Sequence, residues 1–203
     1  SENEWEDYEP VSSSSVSVSS SSESDEKETF TDTRDGQTYK YVKIGNQVWM
    51  AENLNYEIVF SYCYKDSIEN CKKYGRLYNW ETALNVCPSG WHLPTNEEFE
   101  TLMSNVGGEE VAGKMLKSTT GWEEYEGKSG NGIDKYGFNA IPAGGRSSSS
   151  DFTGMGKLVH FWSVTEHTKD DVYRLHLDYN GESAALATTS KIGSARSIRC
   201  LRD

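Results

Sequence analysis

The 203-residue sequence predicts an α+β domain with two main helices, antiparallel strands and a long irregular loop region, preceded by a disordered tail. Three observations predict it. An alternating strand–turn–strand pattern occupies residues 38–50, a helix–turn–helix pattern residues 75–106, and a series of alternating segments residues 161–202. Only 35% of the residues are hydrophobic, which is low for a globular chain. The deficit is local, because the first thirty residues are mostly serine and acid while the rest is rich in Trp, Tyr and Gly. The remainder is long enough to bury a core.

In chain order, residues 1–30 read as a disordered, self-repelling acidic linker, with Ser12-Ser13-Ser14-Ser15 and Ser19-Ser20-Ser21-Ser22 set among carboxylates. Trp5 and Tyr8 read as aromatic residues tolerated in that tail rather than as a docking motif. Residues 31–203 form the domain. It opens with the alternating Thr38-Tyr39-Lys40-Tyr41-Val42-Lys43-Ile44, turns at Gly45-Asn46 and returns through Gln47-Val48-Trp49-Met50. Residues 56–74 read as irregular. A first helix is expected from about Gly75, since Leu77, Trp80, Ala83, Leu84 and Cys87 recur at helical spacing until Pro88 stops it.

The second helix has a better-marked start. Thr95 caps it, Glu98 completes a capping box, Pro94 and Phe99 form a staple, and Phe99, Leu102, Met103 and Val106 carry the apolar face to Gly107-Gly108. Ala112, Met115 and Leu116 predict a third short helix over residues 109–117. Residues 119–156 are glycine-rich, and only residues 136–141 among them read as strand. Strands follow at residues 161–164, 172–177, 184–188 and 197–202, with Asn180-Gly181 as a hairpin turn.

A net charge of −12 argues against nucleic acid and against an anionic membrane surface, both of which require clustered Lys and Arg. No apolar run approaches the roughly 20 residues that cross a bilayer, and no signal peptide is recognisable. Ser1 in place of Met raises the expectation that a targeting segment has been removed. The four cysteines, Cys63, Cys71, Cys87 and Cys200, allow three pairings, and their spacing matches no zinc pattern. They read as two disulfides, Cys63 to Cys71 and Cys87 to Cys200, against the alternative of four buried thiols. Disulfides imply a location outside the cytoplasm.

Several blocks carry a resemblance. Asp35-Gly36-Gln37-Thr38-Tyr39, Gln47-Val48-Trp49-Met50-Ala51-Glu52-Asn53-Leu54, Tyr74-Gly75-Arg76-Leu77-Tyr78-Asn79-Trp80, Cys87-Pro88-Ser89-Gly90-Trp91-His92-Leu93-Pro94, Tyr136-Gly137-Phe138 and Ser197-Ile198-Arg199-Cys200, in that order, resemble the Fibrobacter succinogenes major paralogous domain family. The resemblance implies a secreted or outer-surface lipoprotein whose Ser-rich spacer separates a lipidated N-terminus from the domain. Membrane contact is expected only through such an anchor, which these residues do not include. More distantly, the element order resembles the C-type lectin-like fold, in which a helix cysteine pairs with one in the last strand and a long irregular region presents the ligand site. The lectin triplets Glu-Pro-Asn, Gln-Pro-Asp and Trp-Asn-Asp are absent, so the calcium-dependent sugar site does not carry over. Formylglycine-generating enzymes share a variant of the fold but need a reactive cysteine pair, and none is spare once both disulfides form.

The chemistry on offer is therefore that of binding. Flat aromatic rings beside polar loops suit sugar rings or peptides, and the candidate ligand residues are Trp122, Tyr125, Asp134, Tyr136, Arg146, Phe152, Trp162 and Glu166. Trp162 shares with Phe138 and Phe161 a strand context that also fits the core. Gly130-Asn131-Gly132-Ile133-Asp134 reads as a plain turn before it reads as a calcium loop, and no other cofactor is implied. Gly144-Gly145-Arg146 suits a loop anchor better than an anion site. His160, His167 and His176, and Ser163 with Glu166, sit in no catalytic motif. A monomeric, surface-displayed module for plant cell-wall polysaccharide or a surface protein is expected. A scaffold without sugar affinity is the alternative, with an oxidase or glycosidase behind it.

Overall fold

A computed structural model describes residues 28–203. The expected linker, with Trp5 and Tyr8, lies outside the described residues, except that its last three residues belong to the first strand.

β1 (Glu28–Thr31) pairs antiparallel with β2 (Thr38–Ile44). The connection is fastened by the buried Asp32 carboxylate, which accepts bonds from Arg34 N, Nε and Nη2. The Arg34 bonds hold that carboxyl below its usual range, against the opposing effect of burial. β2 returns as β3 (Gln47–Met50) in the expected register, Ile44 opposite Gln47. Gly45 makes the turn at φ 61°. Glycine suits that conformation, and its missing Cβ leaves room for the Asn105 side-chain amide, which lies 2.3 Å from where a Cβ would stand.

β4 (Ser61–Tyr62), a 3-10 turn (Tyr64–Asp66) and α1 (Ile68–Tyr74) occupy the stretch expected to be irregular, and β5 (Leu77–Asn79) and α2 (Trp80–Ala83) follow. The expected helix over residues 75–87 is thus reduced to one turn. Leu77 and Tyr78 are taken into a sheet by Tyr62, Ser61 and Arg196, and strand pairing outweighs their helical spacing. Gly75, at φ 75°, ends α1 rather than starting a helix. Asn79 caps α2 by accepting Thr82 N.

β6 (Trp91–His92) leads to α3 (Asn96–Asn105), whose capping box is formed as the sequence predicts: Glu98 N donates to Thr95 Oγ1, and Thr95 N to Glu98 Oε2. α4 (Glu109–Leu116) follows. Residues 132–140 are not a strand; they cap α4. Ile133 N, Lys135 N, Ala140 N and Asp134 N donate to the carbonyls of Lys114, Met115, Leu116 and Lys117, which the helix leaves unpaired. β7 (Glu124–Tyr125) and β8 (Lys128–Ser129) form a small hairpin, and β9 (Ala143–Arg146) and β10 (Phe152–Met155) another. The chain finishes with β11 (Leu158–Glu166), β12 (Asp171–Asp178), β13 (Ala184–Ser190), β14 (Ala195–Arg196) and β15 (Leu201–Arg202). The strand expected at residues 197–202 is two short pieces, with Ser197 bridging Phe161 in parallel.

The strands make a five-stranded sheet, β1-β2-β3-β15-β6, and an eight-stranded mixed sheet, β13-β12-β11-β9-β14-β5-β4 with β10 on β9. α3 packs against β11, β12 and β13 and α4 against α3 and β13, and Phe99, Leu102, Leu116, Phe138, Phe161 and Leu175 form the larger core there. Trp162, Tyr78, Trp80, Leu54 and Ile198 fill a second one. Both disulfides are present in the expected pairing, and no cysteine among the described residues is free. Cys87 lies beyond the end of α2, so the longer bridge ties that turn to the approach to β15. The two bridges point to an oxidising, extracytoplasmic environment. Among the described residues no helix is long and apolar enough to cross a membrane.

Candidate functional site

The eight residues proposed from sequence do not converge on one place. Trp122 and Trp162 are core residues, contrary to their expected role. Each indole N–H is spent inside: Trp122 Nε1 on Ser118 Oγ and Ala140 O, Trp162 Nε1 on Tyr78 O. With 5% and 0% exposure, neither ring can reach a ligand. Asp134 and Tyr136 belong to the loop that caps α4. The Asp134 carboxylate accepts Asn139 N at 2.7 Å, and Tyr136 leans on the larger core. Among the described residues no group of three or more His, Cys, Asp or Glu side chains is placed to hold a metal ion. Arg146 and Phe152 do meet, in a cluster where Arg146 also stacks on Tyr62 at 4.4 Å and Phe152 packs on Tyr64. Glu166, at the end of β11, pairs with Lys191 at 2.8 Å.

Tyr125 is the candidate that stands in a cleft. Glu126 and Gly127, both at positive φ, close the β7–β8 hairpin as a primed turn whose twist matches its strands. This hairpin leans on the β12–β13 turn, and the Tyr125 ring meets Tyr179 edge-on at 5.5 Å. Gly130 permits the approach, because a Cβ there would press on Glu123 O at 2.3 Å and Tyr179 O at 2.9 Å. Between the two turns and α4 lies a cleft of about 150 Å³ lined by Tyr125, Tyr179, Lys114, Lys128, Asn131 and Glu182. Lys114 and Glu182 pair across its rim at 2.7 Å. Lys117 forms the floor, donating to Asp178 O and Gly181 O and lying over the Trp122 ring. Burial lowers its basicity, against the opposing charges of Asp178 and Glu182.

Tyr179, Lys114 and Glu182 were missed in the sequence. The available signal was the position of Tyr179 beside Asn180-Gly181, which puts its side chain at a turn tip facing whatever the neighbouring hairpin presents.

The histidines serve the sheet. His160 on β11 and His176 on β12 are directly opposite, with Nε2 and Nδ1 2.8 Å apart. Burial, then Arg174, Arg196 and His176 itself, push His160 well below its usual range. Burial and Arg174 lower His176 as well, with Asp178 opposing. Both imidazoles therefore resist protonation in the folded chain. Their contribution to stability is complete above about pH 6.5, the ordinary histidine value, and is lost as the pH falls below it and the unfolded chain gains protons. His92 runs the other way. Burial opposes its charge, but the bonds to Asp203 and Glu98 raise its pKa overall. Its contribution is complete below about pH 6.5 and fades as the pH rises through its folded pKa. Urea unfolding at pH 5 and pH 7 is expected to show a lower midpoint at pH 5, with a smaller difference in His160→Leu. An unchanged difference in that variant would remove the histidine pair as its cause.

A family model described as the Fibrobacter succinogenes major domain matches residues 42–202 of the chain. No curated protein and no solved structure matches it.

Proposed function

The chain belongs to the Fibrobacter succinogenes major domain family, and on that premise we propose that it is a surface-displayed binding module, secreted or carried on an outer-surface lipoprotein, that adheres to plant cell-wall polysaccharide. The reading is of binding rather than catalysis, on an architecture we take to be C-type lectin-like. The observation that carries it is the Tyr125–Tyr179 pair beside a polar cleft. An aromatic face accepts the C–H face of a sugar ring, while Asn131, Lys128 and the Lys114–Glu182 pair offer donors and acceptors to ring hydroxyls. Exposed aromatic anchors of this kind concentrate binding energy in few residues. Tyr125 is 39% exposed, so its removal leaves the core intact. Tyr125→Ala and Tyr179→Ala are each expected to weaken polymer retention about tenfold, with thermal stability nearly unchanged in Tyr125→Ala and somewhat lowered in Tyr179→Ala, whose ring packs against the larger core. Unaltered retention in both variants would contradict the assignment of this cleft.

One observation favours a protein partner instead. Ile58, Val59 and Phe60 form an exposed apolar loop tip, with Phe60 in the left-handed region at φ 64°, and such a tip suits an apolar pocket on another protein. Loss of a partner on Phe60→Ser, with polysaccharide retention absent throughout, would favour that reading.

A further inference from the structure

The outer face of β11–β12 carries a row of basic side chains well apart from the Tyr125 cleft. His160 stands opposite His176 and Trp162 opposite Arg174. Alternation sets these four on the side away from Phe161 and Leu175, which point into the larger core. Arg196 joins them from β14, its guanidinium 5.8 Å from the Trp162 ring. Gly145 on β9 leaves room for it, since a Cβ there would stand 2.8 Å from Arg196 Nη1. On the other side β13 sets Ala187 beside Arg174 and the exposed Ala185 beside His176, so no bulky side chain of that strand covers the row.

Both guanidinium groups are held by backbone and left open at one end. Arg174 Nη1 donates to Thr188 O at 2.6 Å, and Arg196 Nη1 to Arg146 O at 2.6 Å and Ala195 O at 3.0 Å. The Nε of each is buried without a partner, as is His160 Nδ1, and these are three of the five such side-chain atoms among the described residues. The Nη2 of each arginine takes no partner among the described residues and is not one of those buried atoms, so it reaches the surface. Arg34 and Arg76 each hold a carboxylate, whereas none acts on Arg174 or Arg196. Burial alone lowers the basicity of Arg174, and burial, then the charge of Arg174, bring Arg196 down to about 10. Asp178, at the end of the row, is turned to His176 Nε2 at 3.8 Å and to Asn180 N. Two partly desolvated like charges without a counter-charge cost stability, and unpaired buried polar atoms are uncommon in folded chains. An anion answers both charges, and its bonds to a guanidinium that water has partly left are stronger than bonds made in bulk water.

We propose that this face binds an oxyanion, a carboxylate, sulfate or phosphate group, through the outward Nη2 groups of Arg174 and Arg196. The backbone bonds at Nη1 fix the two heads in advance of the ligand, and the buried Nε atoms and His160 lie behind them without touching it. The site stands on its own observations and does not require the Tyr125 cleft to bind anything. The test is a calorimetric titration of the full chain at about 0.01 M salt, where charges are weakly screened, with trigalacturonate, inorganic sulfate and inorganic phosphate. Saturable binding is expected with at least one of them. Binding of trigalacturonate without the inorganic ions identifies a sugar-borne carboxylate, and binding of an inorganic ion a site filled by the tetrahedral group itself. Arg174→Gln and Arg196→Gln each weaken that binding about tenfold, the worth of one charge-assisted bond, and Tyr125→Ala leaves it unchanged. Should Arg196→Gln fail to fold, Arg174→Gln carries the test, because the one bond it gives up lies at the surface. The proposal is overturned if none of the three anions binds saturably, or if folded Arg174→Gln binds them as tightly as the parent.

Discussion

Arg199→Leu is expected to destabilise the domain by about 3–5 kcal/mol, a large part of the total of about 5–15 kcal/mol for a domain of ordinary size. Arg199 is fully buried, and its bonds are made to an amide and to backbone carbonyls rather than through a bidentate carboxylate fork. Its guanidinium instead donates to Asn53 Oδ1 at 2.6 Å, Met50 O at 3.1 Å, Asn139 O at 2.7 Å and Phe138 O. These acceptors belong to the exit from the opening hairpin and to the loop capping α4, so one side chain from the last segment fastens both. The rings of Phe138 and Phe161 flank the same group and supply the face of negative potential that a cation prefers. Burial brings its pKa down to about 9, with the charges of Asp134 and Glu52 opposing, so it stays charged at neutral pH. Leucine fills much of the space but leaves the acceptors unpaired, at about 1–3 kcal/mol for each that water cannot reach. Arg199→Lys keeps the charge and loses the planar fork, and its cost falls between the parent and leucine. A loss below about 1 kcal/mol in the leucine variant, by urea unfolding, would show that the guanidinium is dispensable.

The second large effect is expected from the longer disulfide. Cys87 and Cys200 are 113 residues apart, Cys63 and Cys71 only 8. On the chain-entropy account, closing the longer loop contributes about 4–5 kcal/mol and closing the shorter about 2–3. Cys87→Ser with Cys200→Ser should therefore lower the melting temperature more than Cys63→Ser with Cys71→Ser. Calorimetry of the two double variants measures this directly. Equal losses would place the stabilisation in native contacts around the bridges rather than in the unfolded chain.

Local chemistry is what the sequence made legible. The first hairpin was readable because Gly45-Asn46 and strict alternation act within a dozen residues, and α3 because Thr95 and Glu98 satisfy each other's backbone over a single turn. The helix expected from Gly75 failed because Leu77 and Tyr78 are placed by partners far along the chain, Arg196 among them. Residues 136–141 look like strand for a similar reason: their backbone groups pair with the end of a helix that spacing alone does not bring near. At the candidate site, Trp122 sits between a glycine and acidic residues and so reads as exposed. Only the fold supplies Ser118 Oγ and Ala140 O to its indole and closes the core over it. Tyr125 was readable as a loop aromatic, whereas its partner Tyr179 was not, because the β12–β13 turn meets the β7–β8 hairpin only in the fold.

The central claim is adhesion to a polymer through the Tyr125 face, and depletion of the disulfide-intact full chain from solution by insoluble cellulose, xylan and pectin tests it most directly. The account predicts saturable retention on at least one polymer and its loss when Tyr125 and Tyr179 are both replaced by alanine. A folded, oxidised sample that stays in solution with all three would contradict it.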